Sequence, residues 1–218
     1  MNDIYISGVA MSRFGKHDEL SMQDLAQEAV TGAVADASEE FGNIEAFYCA
    51  NVFGGMILGQ VLLRDLKLAG PPVYNVENAC ASGATAVHLA MHALRAGIYE
   101  TVVVFGVEQL TRLGGGTIPL QVNDYMTTLY AAQGMVLPAV YAMRGSRYLH
   151  EKQLTSETLA RIAVKNRHNG SLNPYAQTRK PTTIDEVLSS RMVADPLTLL
   201  QCCPSVVDGA AALVLSTR

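Results

Sequence analysis

The 218-residue sequence lacks the features that mark several other classes of protein. No run of apolar residues is long enough to cross a bilayer, and Met1 is followed at once by the strand-like residues 4–6, which leaves no room for a signal peptide. Charged residues make up only 17% of the chain and its net charge is −4, so nothing points to a nucleic-acid partner. We therefore expect a cytoplasmic protein with no membrane or nucleic-acid partner.

The cysteines and histidines form no metal-binding motif. The four cysteines are Cys49, Cys80, Cys202 and Cys203. They have neither CxxC spacing nor a Cys/His zinc pattern, so we interpret them as reduced thiols, with the adjacent pair packing at the start of the last strand. His88 and His92 have the i, i+4 spacing of a metal site, but no third ligand lies nearby in the sequence. The sequence predicts no metal site and no permanently bound cofactor.

What the sequence does contain is an alternation of strand and helix patterns. Apolar residues make up 49% of the chain, enough for a well-buried α/β core. Residues 22–37 form a helical stripe that begins after Ser21, with Asp24 placed as in a capping box. Further helices are predicted at 59–68 and from Ala81 to Gly97. The predicted strands are residues 3–9, 44–52, 101–106 and 207–216, so we expect a layered α/β core with right-handed crossovers.

Cys80 lies in the sequence Ala-Cys-Ala-Ser-Gly, residues 79–83, between an extended stretch at 73–76 and an apolar helix. A thiol at this point faces the positive end of the helix macrodipole, which stabilises the thiolate as a nucleophile. The small neighbouring side chains would let an acyl carrier approach the sulfur closely. The alternative interpretation is a buried structural cysteine, the commoner fate of a free thiol.

From about residue 119 to 195 the pattern changes to loops and amphipathic helices without convincing strands. Nine of the sixteen Lys and Arg residues of the chain lie here. They are Arg144, Arg147, Lys152, Arg161, Lys165, Arg167, Arg179, Lys180 and Arg191. Individually they fit a solvated helix surface, and as a group they would attract phosphates.

Residues 75–106 resemble the acylation segment of the thiolase superfamily. The resemblance continues, in the family's order, at Arg147-Tyr148 and at residues 163–167, 173–177, 191–197 and 208–215, and it is most similar to the sterol-carrier-protein branch. It implies a core domain at residues 1–118 and 196–218, built on a mixed five-stranded sheet flanked by helices. It also implies a mainly helical cap at 119–195 that holds coenzyme A. Where thiolases usually have Ser before Asp-Gly, this chain has Val207, which weakens the assignment to a branch more than the assignment of activity.

The resemblance implies an acyl-CoA acyltransferase in which Cys80 carries the acyl group. Acyl-CoA would be the substrate, with Arg144, Lys165 and Arg179 as candidates for contacting its coenzyme A. The family's catalytic histidine, second cysteine and Asn or His of the oxyanion site have no counterpart here. We therefore expect a second thiolase-like half to supply His and Cys, a homodimer formed through the core near Cys80, and as a further partner an OB-fold zinc-ribbon acyl-CoA-associated protein.

Other functions remain open at this point. One is a non-catalytic thiolase-like subunit that binds acyl-CoA or another protein; the presence of Cys80 speaks against it. Another is a synthase of the 3-hydroxy-3-methylglutaryl-CoA or ketoacyl kind, which uses the same cysteine; residues 173–177 favour a thiolase. The chain is either a natural subunit or a fragment of a longer protein.

Overall fold

A computed structural model describes residues 3–68, 70–114, 124–203 and 206–217. The chain divides into two compact units. The first, here called the core unit, combines Met1–Gly114 with Val206–Arg218, and the second, the helical unit, is Gly115–Ser205.

The described residues form strands and helices that we number in chain order. The strands are β1 (Tyr5–Met11), β2 (Ala46–Ala50), β3 (Val73–Val76), β4 (Thr101–Gln109), β5 (Met192–Ala194), β6 (Leu197–Thr198) and β7 (Asp208–Ser216). The helices are α1 (Met22–Asp36), α2 (Leu58–Asp65), α3 (Ser82–Arg95), α4 (Tyr125–Ala132), α5 (Leu137–Lys152), α6 (Ser156–Leu172) and α7 (Ile184–Ser189).

The core unit is built on a five-stranded mixed sheet in the order β1-β7-β4-β2-β3. Strands β2, β3 and β4 run parallel, while β7 is antiparallel to both β4 and β1. From β2 the chain crosses to β3 on one side, and from β3 it returns to β4 on the other. Right-handed crossovers in opposite directions place their helices on opposite faces of a sheet, as is observed for α2 and α3. The predicted α/β fold with a mixed five-stranded sheet is confirmed.

Each face of this sheet is covered by helices from the same unit. One face packs against α1 and α2 through a cluster that includes Leu25, Phe47 and Phe105. The other face packs against α3 through a cluster that includes Ala90 and Leu94. Because β4 lies in the middle of the sheet, its residues from Thr101 through Phe105 are buried.

Helix α1 begins where its capping pattern predicts. The Ser21 hydroxyl accepts a hydrogen bond from the Asp24 backbone N–H at 3.1 Å, and an Asp24 carboxylate oxygen accepts one from the Ser21 N–H at 2.8 Å. This reciprocal pair satisfies two backbone donors that the first turn would otherwise leave unpaired. The predicted apolar stripe faces the sheet, with Leu25, Ala29 and Val30 completely buried.

The helical unit holds α4 to α7 and one small sheet. Strands β5 and β6 pair antiparallel, which corrects the expectation that residues 119–195 contain no strand. These strands are only three and two residues long, too short to show an alternating pattern. Helix α6 packs on α7, and α5 packs on β5 and β6. Across the described ranges, none of the helices combines the length and apolar character needed to span a bilayer.

Gly8 in β1 lies directly against α1. A Cβ at this position would lie 2.3 Å from the Ala33 carbonyl oxygen and 2.5 Å from the Ala37 nitrogen. Both are backbone atoms of the α1 region, so they cannot move aside cheaply. We expect Gly8→Ala to lower the free energy of unfolding by about 3 kcal/mol, the upper part of the usual range for overpacking.

Urea unfolding followed by circular dichroism measures this change. The matched control is Gly42→Ala, because a Cβ at Gly42 would have no atom within 4 Å. The control should stay within about 0.5 kcal/mol of the parent chain. Equal stability of the two variants would contradict the packing argument.

Candidate active site

The parallel strands of the core unit have their carboxyl ends at one edge of the sheet. Ala50 and Val76, the last residues of β2 and β3, pair with each other, and Ala50 also pairs with Gly106 of β4, which continues to Gln109. The connections from β2 and β3 leave on opposite faces of the sheet at this edge. In open α/β sheets, ligands bind in the crevice outside the carboxyl ends of strands where the direction of the connections reverses.

Cys80 lies at this edge, in the loop that joins β3 to α3. The loop follows Val76, the last residue of β3, and α3 begins at Ser82. Cys80 is exposed and comes just before the N-cap residue Ala81. The structure thus places this thiol beside the N-terminus of a 14-residue helix, the end at which the macrodipole favours negative charge.

Ser82 and Asn78 hold the loop around Cys80 in shape. The Ser82 hydroxyl accepts a hydrogen bond from the Asn78 backbone N–H at 2.8 Å and donates one to the Ala79 carbonyl at 2.7 Å. The Asn78 side-chain amide donates to the Thr85 hydroxyl at 2.9 Å, which ties the loop to the second turn of α3. Ala79 adopts φ 45, in the left-handed region that non-glycine residues seldom occupy. The exposed thiol therefore sits on a loop that these hydrogen bonds hold in an unusual backbone conformation.

The other three thiols have different surroundings. Cys49 in β2 is completely buried, and this burial, together with the nearby Glu108 carboxylate, raises its pKa to about 12. Cys202 is half-buried. This burial, and to a smaller extent the neighbouring Cys203, raises the pKa of its thiol. Cys203 is exposed, which corrects our interpretation of both adjacent cysteines as packing residues. Only Cys80 and Cys203 are exposed thiols.

The two histidines of α3 are not placed as a base for Cys80. His88 and His92 are exposed on α3, with ring centroids 4.3 Å apart. His88 lies eight residues after Cys80, roughly 12 Å along a helix axis. The ring of His17 bonds to the Arg13 carbonyl at 2.7 Å. Within the described ranges, no group of three His, Cys, Asp or Glu side chains is arranged to hold a metal ion.

Asp208 is a buried carboxylate at the start of β7. It is 0% exposed and accepts hydrogen bonds from the Thr111 N–H at 2.9 Å, the Thr111 hydroxyl at 2.6 Å and the His17 N–H at 3.1 Å. It thereby joins the N-terminal loop and the segment after β4 to the start of β7. Its neighbour Gly209 is required because a Cβ there would lie 2.8 Å from the Phe14 ring. The pair is structural, because the bonds to Asp208 come from residues 97 and 191 positions away in the chain, which a local sequence pattern does not specify.

The three cationic candidates all lie in the helical unit. Arg144 on α5 stacks over the Tyr141 ring at 5.5 Å and lines an open groove of about 400 Å³ on that helix. Lys165 on α6 and Arg179 after α6 are exposed. Among the described residues, the four ion pairs include none of these three side chains. Their charges are therefore available to an anion.

Comparison with known proteins is consistent with this geometry. The family described as "Thiolase, N-terminal domain" matches residues 4–218. The chain is 38% identical to the benzoylsuccinyl-CoA thiolase subunit BbsB of Thauera aromatica over 99% of its own length and 55% of that protein's. It is 36% identical to an acetyl-CoA acetyltransferase of Methanothermobacter thermautotrophicus, over 99% of its length and 57% of the relative's. The chain belongs to the thiolase family.

A solved structure, the Ltp2-ChsH2(DUF35) aldolase, is also similar to this chain. It superposes with a TM-score of 0.81 at 29% sequence identity, over 98% of this chain and 55% of the other. This chain thus spans 55–57% of the length of these three proteins. The predicted resemblance to an N-terminal thiolase half is confirmed.

Proposed function

We propose that this chain supplies the acylated nucleophile, Cys80, of a thiolase-type acyltransferase whose site is completed by a second thiolase-like half. The observation that carries the proposal is an exposed thiol at the N-terminus of α3, on the carboxyl edge of the parallel strands. Membership of the thiolase family and the names of the two relatives support this reaction class.

In the thiolytic direction, the Cys80 thiolate attacks the 3-keto carbon of a 3-ketoacyl-CoA and forms a carbon–sulfur bond. The bond between C2 and C3 then breaks, and its electron pair leaves as the enolate of acetyl-CoA, which takes a proton from a general acid. The thiol of free coenzyme A gives its proton to a base and attacks the acyl-cysteine. This attack releases the shortened acyl-CoA and returns Cys80 as a thiolate. The helix terminus beside Cys80 stabilises the thiolate in the first and last states.

The helical unit is the proposed site for coenzyme A, with Arg144, Lys165 and Arg179 contacting its phosphates. The available charge of these three side chains supports this role. We expect charge reversal at all three positions (Arg144→Glu, Lys165→Glu and Arg179→Glu) to weaken coenzyme A binding about tenfold or more, because phosphate contacts become repulsions.

Isothermal titration with coenzyme A measures this loss, and the rate of Cys80 alkylation checks that the core unit is unaffected. The matched control is Arg161→Gln, since Arg161 is an exposed cation already paired with Glu157 at 2.6 Å. Unchanged affinity in the triple variant would exclude the electrostatic part of the proposal.

The partners in this proposal are the second thiolase-like half and another copy of this chain. Strand β3 is an edge of the sheet and pairs only with β2 among the described strands, so its outer side is open to an additional strand. Tyr74 on this strand is 42% exposed. These features support a homodimer through the core near Cys80.

The direct test is incubation of the chain with acetyl-CoA, followed by mass spectrometry of its peptides. An acetyl group on the peptide that contains Cys80, removed again by excess coenzyme A, would support acyl transfer. Acetylation at other residues only, or none in the presence of the second half, would refute it.

A second candidate function is the role of an aldolase subunit bound to a DUF35-type OB-fold partner. It is favoured by the likeness to the Ltp2-ChsH2(DUF35) aldolase. An aldol cleavage breaks a carbon–carbon bond without forming an acyl-cysteine. It would therefore need no free coenzyme A as acyl acceptor, and the Cys80→Ser variant would keep this activity. The acetylation experiment therefore separates the two candidates.

A further inference from the structure

The loop between β2 and α2, residues 51–57, presents apolar side chains at the same sheet edge as Cys80. Met56 is 92% exposed and Ile57 is 62% exposed. Ile57 adopts φ 52, a left-handed conformation that strains a β-branched residue. Strained backbone persists where the surroundings impose it, and it clusters at functional sites. Exposed apolar side chains on a strained backbone indicate that residues 51–57 form a contact surface for an apolar group.

Glu108, at the end of β4, holds this loop to the sheet. Its Oε1 accepts hydrogen bonds from the backbone N–H of Val52 at 2.6 Å and of Phe53 at 3.4 Å. Its Oε2 is buried and has no hydrogen-bond partner among the described residues. Burial raises the pKa of this carboxyl group, and the bonds from Val52 and Phe53 oppose that shift. A buried carboxylate oxygen without a hydrogen bond costs stability, whereas the bonds to the other oxygen hold the start of the loop to β4.

Hydrogen bonds also connect the start of the loop to the strand that leads to Cys80. The Asn51 N–H donates to the Val76 carbonyl at 3.2 Å, and the Asn51 side-chain amide donates to the Val107 carbonyl at 2.6 Å. Cys80 is four residues beyond Val76, so the chain can place it at most about 14 Å away. The loop at residues 51–57 and Cys80 therefore follow two neighbouring strands, β2 and β3, at the same edge of the sheet.

We propose that Glu108 is a positioning residue for the acylation site, fixing residues 51–57 so that Met56 and Ile57 contact the apolar acyl group attached to Cys80. The inference rests on the proposed role of Cys80. The occupant is the hydrocarbon or aromatic part of the acyl group, because it is the apolar group that the reaction brings to this thiol. Glu108 acts through the backbone of the loop and does not touch the substrate.

Alkylation of Cys80 by two reagents of different apolarity tests this inference on the chain itself. We expect N-hexyliodoacetamide to react at Cys80 at least about four times faster than iodoacetamide, the factor that burial of one CH₂ group provides. Met56→Ser and Glu108→Ala should reduce this ratio to about 1 while leaving the iodoacetamide rate within about twofold. Glu108→Gln should keep the preference, because its amide oxygen still accepts from the Val52 N–H.

The matched control is Met192→Ser, which removes a similarly exposed methionine (54%) from β5 in the helical unit and should not change the ratio. Failure of Cys80 to react even with iodoacetamide would refute the proposed function. A reactive Cys80 with no preference, or a preference that survives both Met56→Ser and Glu108→Ala, would overturn only this inference. A dimer that Met56→Ser converts to a monomer, with the preference intact, would show that the loop binds a second copy instead.

Discussion

Iodoacetamide at neutral pH will modify Cys80 ahead of the other three cysteines. Cys49 should not react, because a pKa of about 12 keeps its thiol protonated at neutral pH and its side chain is fully buried. The raised pKa and partial burial of Cys202 slow its reaction as well. Cys203 is exposed but lacks the helix terminus, so it is the fair comparison. We expect Cys80 to be alkylated about two to five times faster than Cys203, which corresponds to the usual effect of a helix N-terminus on a negative charge.

Peptide mapping over a time course measures the four rates in one experiment. Cys80→Ser should lose acetylation by acetyl-CoA altogether, since a serine hydroxyl without a base is not ionised at neutral pH. Cys203→Ser is the matched control and should acetylate as the parent chain does. Uniform labelling of the four cysteines, or full acetylation of Cys80→Ser, would exclude Cys80 as the nucleophile.

The sequence predicted the core of the fold where its patterns were long and regular. The stripe on α1 and the continuous β-branched run of β4 each carry enough residues to fix a period and a burial pattern. Boundaries shifted by up to three residues, as for β2, which is Ala46–Ala50 where 44–52 was predicted. Helix α2 ends at Asp65, ahead of the predicted boundary at residue 68. Such ends depend on hydrogen bonds that the apolar pattern does not specify.

Only part of the candidate site could be predicted, because a sequence pattern does not specify long-range hydrogen bonds. The position of Cys80 between β3 and α3 could be predicted, because a cysteine between an extended stretch and an apolar helix is a local pattern. Glu108 could not, since its contact with Val52 joins residues 56 apart and depends on the register of β2 against β4. The buried Asp208, whose partner Thr111 is 97 residues away, was missed for this reason too.

The isolated chain will not catalyse thiolysis, although its Cys80 will react with an alkylating agent. It holds a nucleophile, but the histidines of α3 lie roughly 12 Å or more from Cys80 along the helix axis, and the chain spans about 55% of the length of its relative BbsB. General acid–base assistance contributes about 10²- to 10⁴-fold to such reactions. We therefore expect thiolysis by the chain alone to be slower by at least that factor than by the chain combined with the second thiolase-like half.

The face of α3 that points away from the sheet is where we expect that second half to bind. Ser82, Ala86, Ala90 and Leu94 are the buried positions of this helix, whereas Leu89 is 45% exposed between the exposed His88 and His92. A bulky charged residue at Leu89 should therefore block assembly without disturbing the sheet. Gel filtration with light scattering measures whether the Leu89→Arg variant still assembles with the second half. The control is Leu172→Arg, since Leu172 on α6 is 71% exposed. If the 23.4 kDa chain instead ran as a monomer and turned over a 3-ketoacyl-CoA by itself, the divided active site would be refuted.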